Sequence, residues 1–314
     1  MLGARPTDRK GLPHCHYQPV NAARSNERDW VRAIPRFLGE LRRLGYVEGQ
    51  NLLVERVSSV GRAEHYREMM SDVVRSNPDV VLTSSLNPTL DLKAQTQTIP
   101  IVGYLPDPVA LGIVSSVARP GGNITGVYNS FEIWGKCLGL LKEAMPTLSR
   151  VGLLIAPTLY GQHIAAVLKD RAGTLGISLV GPRFDNPLDE TAYRRAFAVM
   201  AQEAVQAVYV GYQTENFANL RLIVALAEKH RLPAMYSFRE AVEMGGLIAY
   251  APDFADAFLH AANAVAEILK GTKPGDIPFY QATKYNLIIN LKTAKALGIE
   301  ISPNLLARAD EVIE

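Results

Sequence analysis

Residues 150–156 read Arg-Val-Gly-Leu-Leu-Ile-Ala, and residues 79–84 read Asp-Val-Val-Leu-Thr-Ser. Neither run alternates polar with apolar side chains, as a strand with one wet face would. Both are nearly continuous in apolar residues, the pattern of strands covered on both faces of a parallel sheet. Further short, β-branched runs lie on either side: Asn51–Ser58, Ile99–Tyr104, Ile177–Pro182, Gln206–Tyr212, Leu232–Tyr236 and Gly246–Tyr250. Between the runs, apolar residues recur every three or four positions, as on helices with one buried face. Glu132–Ala144 places Trp134, Leu138 and Leu141 on one face, and Phe217–His230 does the same with Leu220, Ile223, Val224 and Ala227. Gly45, Gly176 and Gly271 follow helical stretches, where a left-handed residue ends a helix.

Alternating strand and helix predicts right-handed βαβ units, hence an α/β fold with helices on both faces of a parallel sheet. The series is about twice what one small sheet requires, and 314 residues suit two domains of ordinary size. Turn residues are densest at Arg119-Pro120-Gly121-Gly122-Asn123, after which a second series begins. The chain then passes Ala251-Pro252-Asp253 into a long helix, Phe254–Lys270, a Gly/Pro loop at 271–276 and a last strand near Asn286–Asn290. The reading is two lobes joined by more than one crossing strand: 1–126 with 252–278, and 127–251 with 279–314. The start does not fit, because Arg9–Val20 holds two prolines where a buried first strand belongs. Pro35 interrupts the helical pattern of Trp30, Ile34, Phe37, Leu38 and Leu41, which predicts a kink or a later helix start.

Several functions are disfavoured by composition. A net charge of +2, with basic and acidic residues interspersed, gives no electrostatic grip on nucleic acid. No stretch reaches the length of apolar residues that crosses a membrane. Met1–Arg28 has basic residues but no apolar core and no small-residue cleavage site, so no secretory signal is legible. Cys137 lies in an apolar run and reads as buried; Cys15 lies in an irregular stretch that suits an exposed thiol. The pair allows one disulfide, for which the spacing offers no argument.

The catalytic inventory is nearly empty. No G-x-S-x-G elbow, phosphate-binding P-loop or G-x-G-x-x-G fingerprint after a strand is present. His14-Cys15-His16 is the one close cluster of soft ligands, too few for zinc, and His65, His163, His230 and His260 stand apart and read as surface residues. No metal and no cofactor are expected. Asn123-Ile124-Thr125 matches a glycosylation triplet, of a kind common by chance.

Polar and aromatic residues do recur at one place, the carboxyl ends of the predicted strands, where open α/β sheets bind ligands. Ser84, Ser85 and Asn87 follow one strand, and Ser85 is placed to cap the next helix and present its free amides to an anion. Tyr104 and Asp107 follow the next, with an Asx turn as the plain alternative for Asp107 between two prolines. Asn129 with Ser130, Tyr160, and Tyr212-Gln213-Thr214 follow others. Ser237-Phe238-Arg239 completes the set with Tyr250 at the crossing; Arg239 could bind a carboxylate or pair with Glu240 or Glu243. Tyrosines in this position suit a ligand with a flat or apolar body, although lobe packing would also use them.

The order of several motifs carries a resemblance. They are Leu41-Arg42-Arg43-Leu44-Gly45-Tyr46-Val47-Glu48-Gly49-Gln50-Asn51, Pro100-Ile101-Val102 with Asp107-Pro108-Val109, and Ala118-Arg119-Pro120-Gly121-Gly122-Asn123-Ile124-Thr125-Gly126. Residues 269–278, 288–298 and 306–314 continue the match. Over residues 36–314 the chain resembles the substrate-binding proteins of ABC transporters, specifically the TrpX-like group. That resemblance implies a type I periplasmic-binding architecture, two Rossmann-like lobes with a small molecule such as an aromatic amino acid or organic acid between them. It also implies hinge closure near Gly126-Val127 and Tyr250-Ala251-Pro252, an ABC permease as membrane partner, a monomer, and a periplasmic location. A cytoplasmic ligand sensor is the alternative, favoured by the missing signal and disfavoured by the lack of a helix-turn-helix at either end. An enzyme on the same lobes is disfavoured by the empty catalytic inventory.

Overall fold

The apolar runs become the strands of two parallel-stranded sheets. The structure, a computed structural model, describes residues 14–18, 28–57, 66–181 and 188–314. The chain opens with β1 (His14–Gln18), α1 (Arg28–Arg43), β2 (Leu53–Arg56), α2 (Tyr66–Ser76), β3 (Val80–Thr83), α3 (Leu86–Gln95), β4 (Ile101–Pro106) and β5 (Ile124–Asn129). A second series follows: α4 (Glu132–Ala144), β6 (Arg150–Leu154), α5 (Leu159–Leu175), β7 (Ser178–Val180), α6 (Glu190–Gln202), β8 (Ala207–Val210), α7 (Thr214–Ala218), α8 (Leu220–Lys229), β9 (Ala234–Tyr236), α9 (Arg239–Glu243) and β10 (Ile248–Pro252). After these come α10 (Phe254–Leu269), a 3₁₀ turn at Pro274–Asp276, and β11 (Tyr280–Gln281). The chain ends with β12 (Tyr285–Asn290), α11 (Leu291–Leu297), α12 (Pro303–Ala307) and β13 (Glu311–Ile313).

Two units result. One comprises residues 1–130 with 253–283, the other 131–252 with 284–314, so the chain passes between them after Ser130, Pro252 and Thr283. The first unit's sheet has the order β2-β1-β3-β4-β5-β11, parallel throughout. The second has the order β7-β6-β8-β9-β10-β12-β13, parallel except where β12 runs antiparallel to β10. In the first unit Met70, Val81, Leu92, Ile101 and Leu105 pack together. In the second the corresponding core holds Leu154, Tyr193, Phe197, Met200, Val208 and Ile223. Each such side chain contributes about 1.5–3 kcal/mol by leaving water.

Four local expectations are corrected. The first strand exists: His14–Gln18 lies between β2 and β3, parallel to both. It was hidden because five residues suffice and neither Pro13 nor Pro19 is among them. Cys15 on that strand is completely buried, as is Cys137, and both thiols are free. The helix α1 runs from Arg28 through Pro35 to Arg43, so the later start that the proline allowed does not occur. Pro35 lies on its exposed side, while Ala33, Phe37 and Leu41 are buried and Phe37 meets Phe258 of α10 edge-on at 6.2 Å. Burying those residues offsets the roughly 3 kcal/mol cost of an interior proline. The helix predicted at Phe217–His230 breaks at Asn219, whose side chain donates to the Glu215 carbonyl and so competes with the helical ladder.

A close backbone approach joins β4 to β5. Gly103 and Gly126 face each other in register, and Gly126 sits at φ +146°. A Cβ there would stand 2.0 Å from the Gly103 carbonyl oxygen, so the strands must separate to admit one. We expect Gly126→Ala to lower the unfolding free energy by about 2–4 kcal/mol in a urea titration. Gly173→Ala in α5, with nothing within 4 Å of the added carbon, should leave stability unchanged or raise it by up to about 1 kcal/mol. Burial pushes the Cys15 and Cys137 thiols up to about 12, so neither carries much thiolate near neutrality. Native protein at about pH 8 should leave both unreacted with a disulfide reagent, and urea-unfolded protein should titrate both.

Candidate functional site

Each sheet has one place where the strand order reverses, and in open parallel sheets ligands collect at the carboxyl ends beside that point. In the first unit it falls between β1 and β3, in the second between β6 and β8.

At the first unit's edge β3 ends in Thr83, with Ser84 buried and Ser85 half-buried behind it. Ser85 occupies the N-cap position of α3 with extended backbone, but its side chain makes no capping hydrogen bond. Thr89 does the local tying instead, its hydroxyl donating to the Ser85 carbonyl at 2.9 Å and lying 2.6 Å from the Thr83 hydroxyl. Asn87 is exposed on the first turn of α3. On the neighbouring strands Tyr104 and Asn129 are buried, and the Asn129 amide donates to the Tyr104 hydroxyl at 2.6 Å. Phe254 supports the Tyr104 ring at 5.3 Å. Ser130 follows, half-buried. Asp107 makes the Asx turn: one carboxylate oxygen accepts from the amides of Val109 and Ala110 at 3.1 and 3.0 Å. Burial, and secondarily the Asp107 charge, raises the Tyr128 phenol, which donates to Gln281 at 3.2 Å.

The second unit's reversal is locked by one side chain. Gln213 is buried at the end of β8, and its carbonyl oxygen accepts from the Ala156 amide at 2.6 Å. Its amide nitrogen donates to the Ala156 carbonyl and to the Thr158 hydroxyl, each at 3.2 Å. Thr158 in turn caps α5 by accepting from the Gly161 amide at 3.0 Å. Beside it Asn216, which the sequence reading passed over, donates to the carbonyls of Leu154 and Gly211 and accepts from the Tyr193 hydroxyl, all at 2.9 Å. Tyr212 is half-buried in a column of rings, parallel to Trp134 at 5.6 Å and to Phe238 at 5.1 Å, with Phe217 tilted beyond Phe238 at 5.1 Å. Thr214 opens α7, and Ser237 is buried with its hydroxyl 3.4 Å from the Val210 carbonyl.

Arg239 is committed to ion pairs. Its guanidinium bonds Glu243 at 3.2 Å and Glu311 of β13. Tyr160 and His163 both meet Phe131, at 5.8 and 5.2 Å between ring centres. Tyr250 stacks on Tyr285 at 5.3 Å, and its hydroxyl accepts from the Lys136 ammonium at 2.5 Å. Lys136, Phe131 and Tyr285 were absent from the sequence-derived set, because a helix start and an antiparallel strand carry no edge signal in one dimension. His163, His230 and His260, read as surface residues, are half-buried, each against an aromatic ring. His65 and the side chains of His14 and His16 lie outside the described residues. Among the described residues, no three His, Cys, Asp or Glu side chains gather to hold a metal ion, and no helix is long and apolar enough to cross a membrane.

Comparison with known proteins identifies the family. Residues 34–313 match the family described as ABC transporter substrate binding protein. The chain is 23% identical over 266 residues to the tyrosine-binding protein of Clostridioides difficile (strain R20291), covering 84% of this chain and 76% of that one. A conserved domain protein from Vibrio cholerae superposes with a TM-score of 0.85 at 26% identity, over 96% of this chain and 100% of that one. The ABC domain in complex with L-Trp from Streptococcus pneumonia shares the fold with a TM-score of 0.86 at 22% identity, over 96% and 100%. The two-lobed α/β architecture expected from the sequence is the one these structures share.

Gln213→Ala removes three hydrogen bonds and leaves the buried Ala156 amide unsatisfied. We expect it to cost about 1–3 kcal/mol in denaturant unfolding without any ligand present.

Proposed function

This chain belongs to the family of ABC transporter substrate binding proteins, and we propose that it captures an aromatic amino acid, tyrosine or tryptophan, for delivery to a membrane permease. The column Trp134–Tyr212–Phe238 at the second unit's strand reversal carries this reading. Tyr212 lies between two near-parallel rings that hold it at the edge, half-buried, where its remaining rim offers an aromatic contact to a ligand ring, and such a pair adds about 0.5–1.5 kcal/mol beyond burial. The names of the tyrosine-binding relative and of the L-Trp complex point to the same ligand class.

The first unit's edge offers polar groups of its own: Ser85 keeps a hydroxyl that no cap consumes, and Asn87 is exposed. Ser84, Tyr104, Asn129 and Ser130 shape that edge, and Asp107 has one carboxylate oxygen outside its turn to meet an ammonium. In the second unit Tyr160, Gln213, Thr214, Ser237, Phe238 and Tyr250 shape or line the ring side, while Arg239 serves through its ion pairs. Binding first to one lobe, the ligand draws the other down about the three crossings, and it favours closure only by contacts that the open form lacks. The carrier works as a monomer in the periplasm and transforms nothing.

Purified protein freed of ligand by unfolding and refolding provides the test. L-tyrosine or L-tryptophan at about a hundred times the dissociation constant should stabilise it by about 2.7 kcal/mol, with L-leucine giving little. Tyr212→Ala should weaken calorimetric affinity at least about tenfold while melting cooperatively. A protein stabilised by L-leucine but by neither aromatic amino acid would refute the ligand class.

A further inference from the structure

An amino acid held through its side-chain ring presents a carboxylate whose charge needs an answer, and the neutral donors at Ser85 supply none. Arg239 was the sequence's candidate, and its charge is met by Glu243 and Glu311. Lys136, on the first turns of α4, is differently placed. The residue is exposed, and its ammonium lies 2.5 Å from the Tyr250 hydroxyl and 4.4 Å from the centre of that ring. None of the ion pairs among the described residues involves Lys136.

The hydrogen-bond inventory of this pair is specific. A lysine ammonium has three donors and no acceptor, so in the contact with Tyr250 it is the donor. The Tyr250 oxygen accepts, which leaves the phenolic hydrogen to be donated elsewhere. Two further ammonium hydrogens and one hydroxyl hydrogen therefore issue from atoms 2.5 Å apart, a spacing matched to the two oxygens of one carboxylate. The Tyr250 ring is held for this by Tyr285, stacked at 5.3 Å from the adjacent antiparallel strand, where the two tyrosines are diagonal neighbours on one face. β10 runs parallel to β9, so the pair stands at the same carboxyl edge as Ser237 and Phe238.

We infer that Lys136 and Tyr250 form a carboxylate-binding pair that selects ligands bearing a free carboxylate, resting on the reading of this chain as an aromatic amino acid carrier. Lys136 supplies the charge, and Tyr250 supplies the second donor and its direction.

Calorimetry with L-tyrosine and with tyramine, which lacks only the carboxylate, tests it on wild type, Lys136→Met, Lys136→Arg and Tyr250→Phe. Wild type should prefer L-tyrosine over tyramine, and Lys136→Met should weaken L-tyrosine about 10- to 100-fold, as expected for a hydrogen bond to a charged group. The preference should shrink by the same factor, because tyramine has nothing for the lysine to meet. Tyr250→Phe should act in the same direction more weakly, and Lys136→Arg should restore most of the loss. Unchanged L-tyrosine affinity in Lys136→Met overturns the pair, as does an equal loss for L-tyrosine and tyramine, which would mark a structural role. Wild-type protein that binds neither L-tyrosine nor L-tryptophan overturns the carrier's ligand class and this inference with it, and wild-type binding separates the two failures.

Discussion

Parallel pairing is the constraint on which both units depend. A parallel strand can be followed by its neighbour only if the chain crosses back over the sheet, so strand ends and helix starts accumulate along one edge. In the first unit this brings Ser84, Pro106 and Asn129 to adjacent strand ends, and in the second it brings Leu154, Val210 and Tyr236. β12 runs the other way, beginning where β10 ends, and thereby brings Tyr285 beside Tyr250.

An edge dense in backbone ends also has to satisfy them, and much of its polar equipment goes to that. Gln213 and Asn216 close the gap between β6 and β8 with six hydrogen bonds, and a network so satisfied is rigid. Asn123 does the same at the other end of the first sheet, donating to the carbonyls of Thr96 and Ile99. Near it Gly275 lies so close to Gly121 that a Cβ would stand 2.8 Å from the Gly121 carbonyl carbon. The glycine-rich turns at 121–122 and 271–275 thus hold one another, with the Gly121 amide donating to the Gly275 carbonyl at 3.1 Å. Ser85, whose hydroxyl caps nothing, and Lys136, which meets Tyr250, are among the side chains with chemistry to offer a ligand.

The apolar runs at 79–84 and 150–156, and helix Glu132–Ala144 with Trp134, Leu138 and Leu141 inward, were legible because burial on both faces leaves a pattern within a few residues. β1 was not, since Cys15 carries its burial among polar neighbours and only the flanking strands make it a strand. The three-residue β13 and two-residue β11 were missed for the same reason: an edge strand that short is specified by its partner.

For the candidate site, sequence alone placed Ser84, Asp107, Tyr212 and Ser237 just past strand ends, because strand boundaries follow from local hydrophobic pattern. Tertiary structure decided which of them are already engaged. Whether Asp107 turns its own loop, Arg239 meets Glu311, or Lys136 reaches Tyr250 across 114 residues depends on distances that no local pattern encodes. Hydrogen bonds and ion pairs act over a few ångströms of space, and the fold brings those ångströms together from distant parts of the chain.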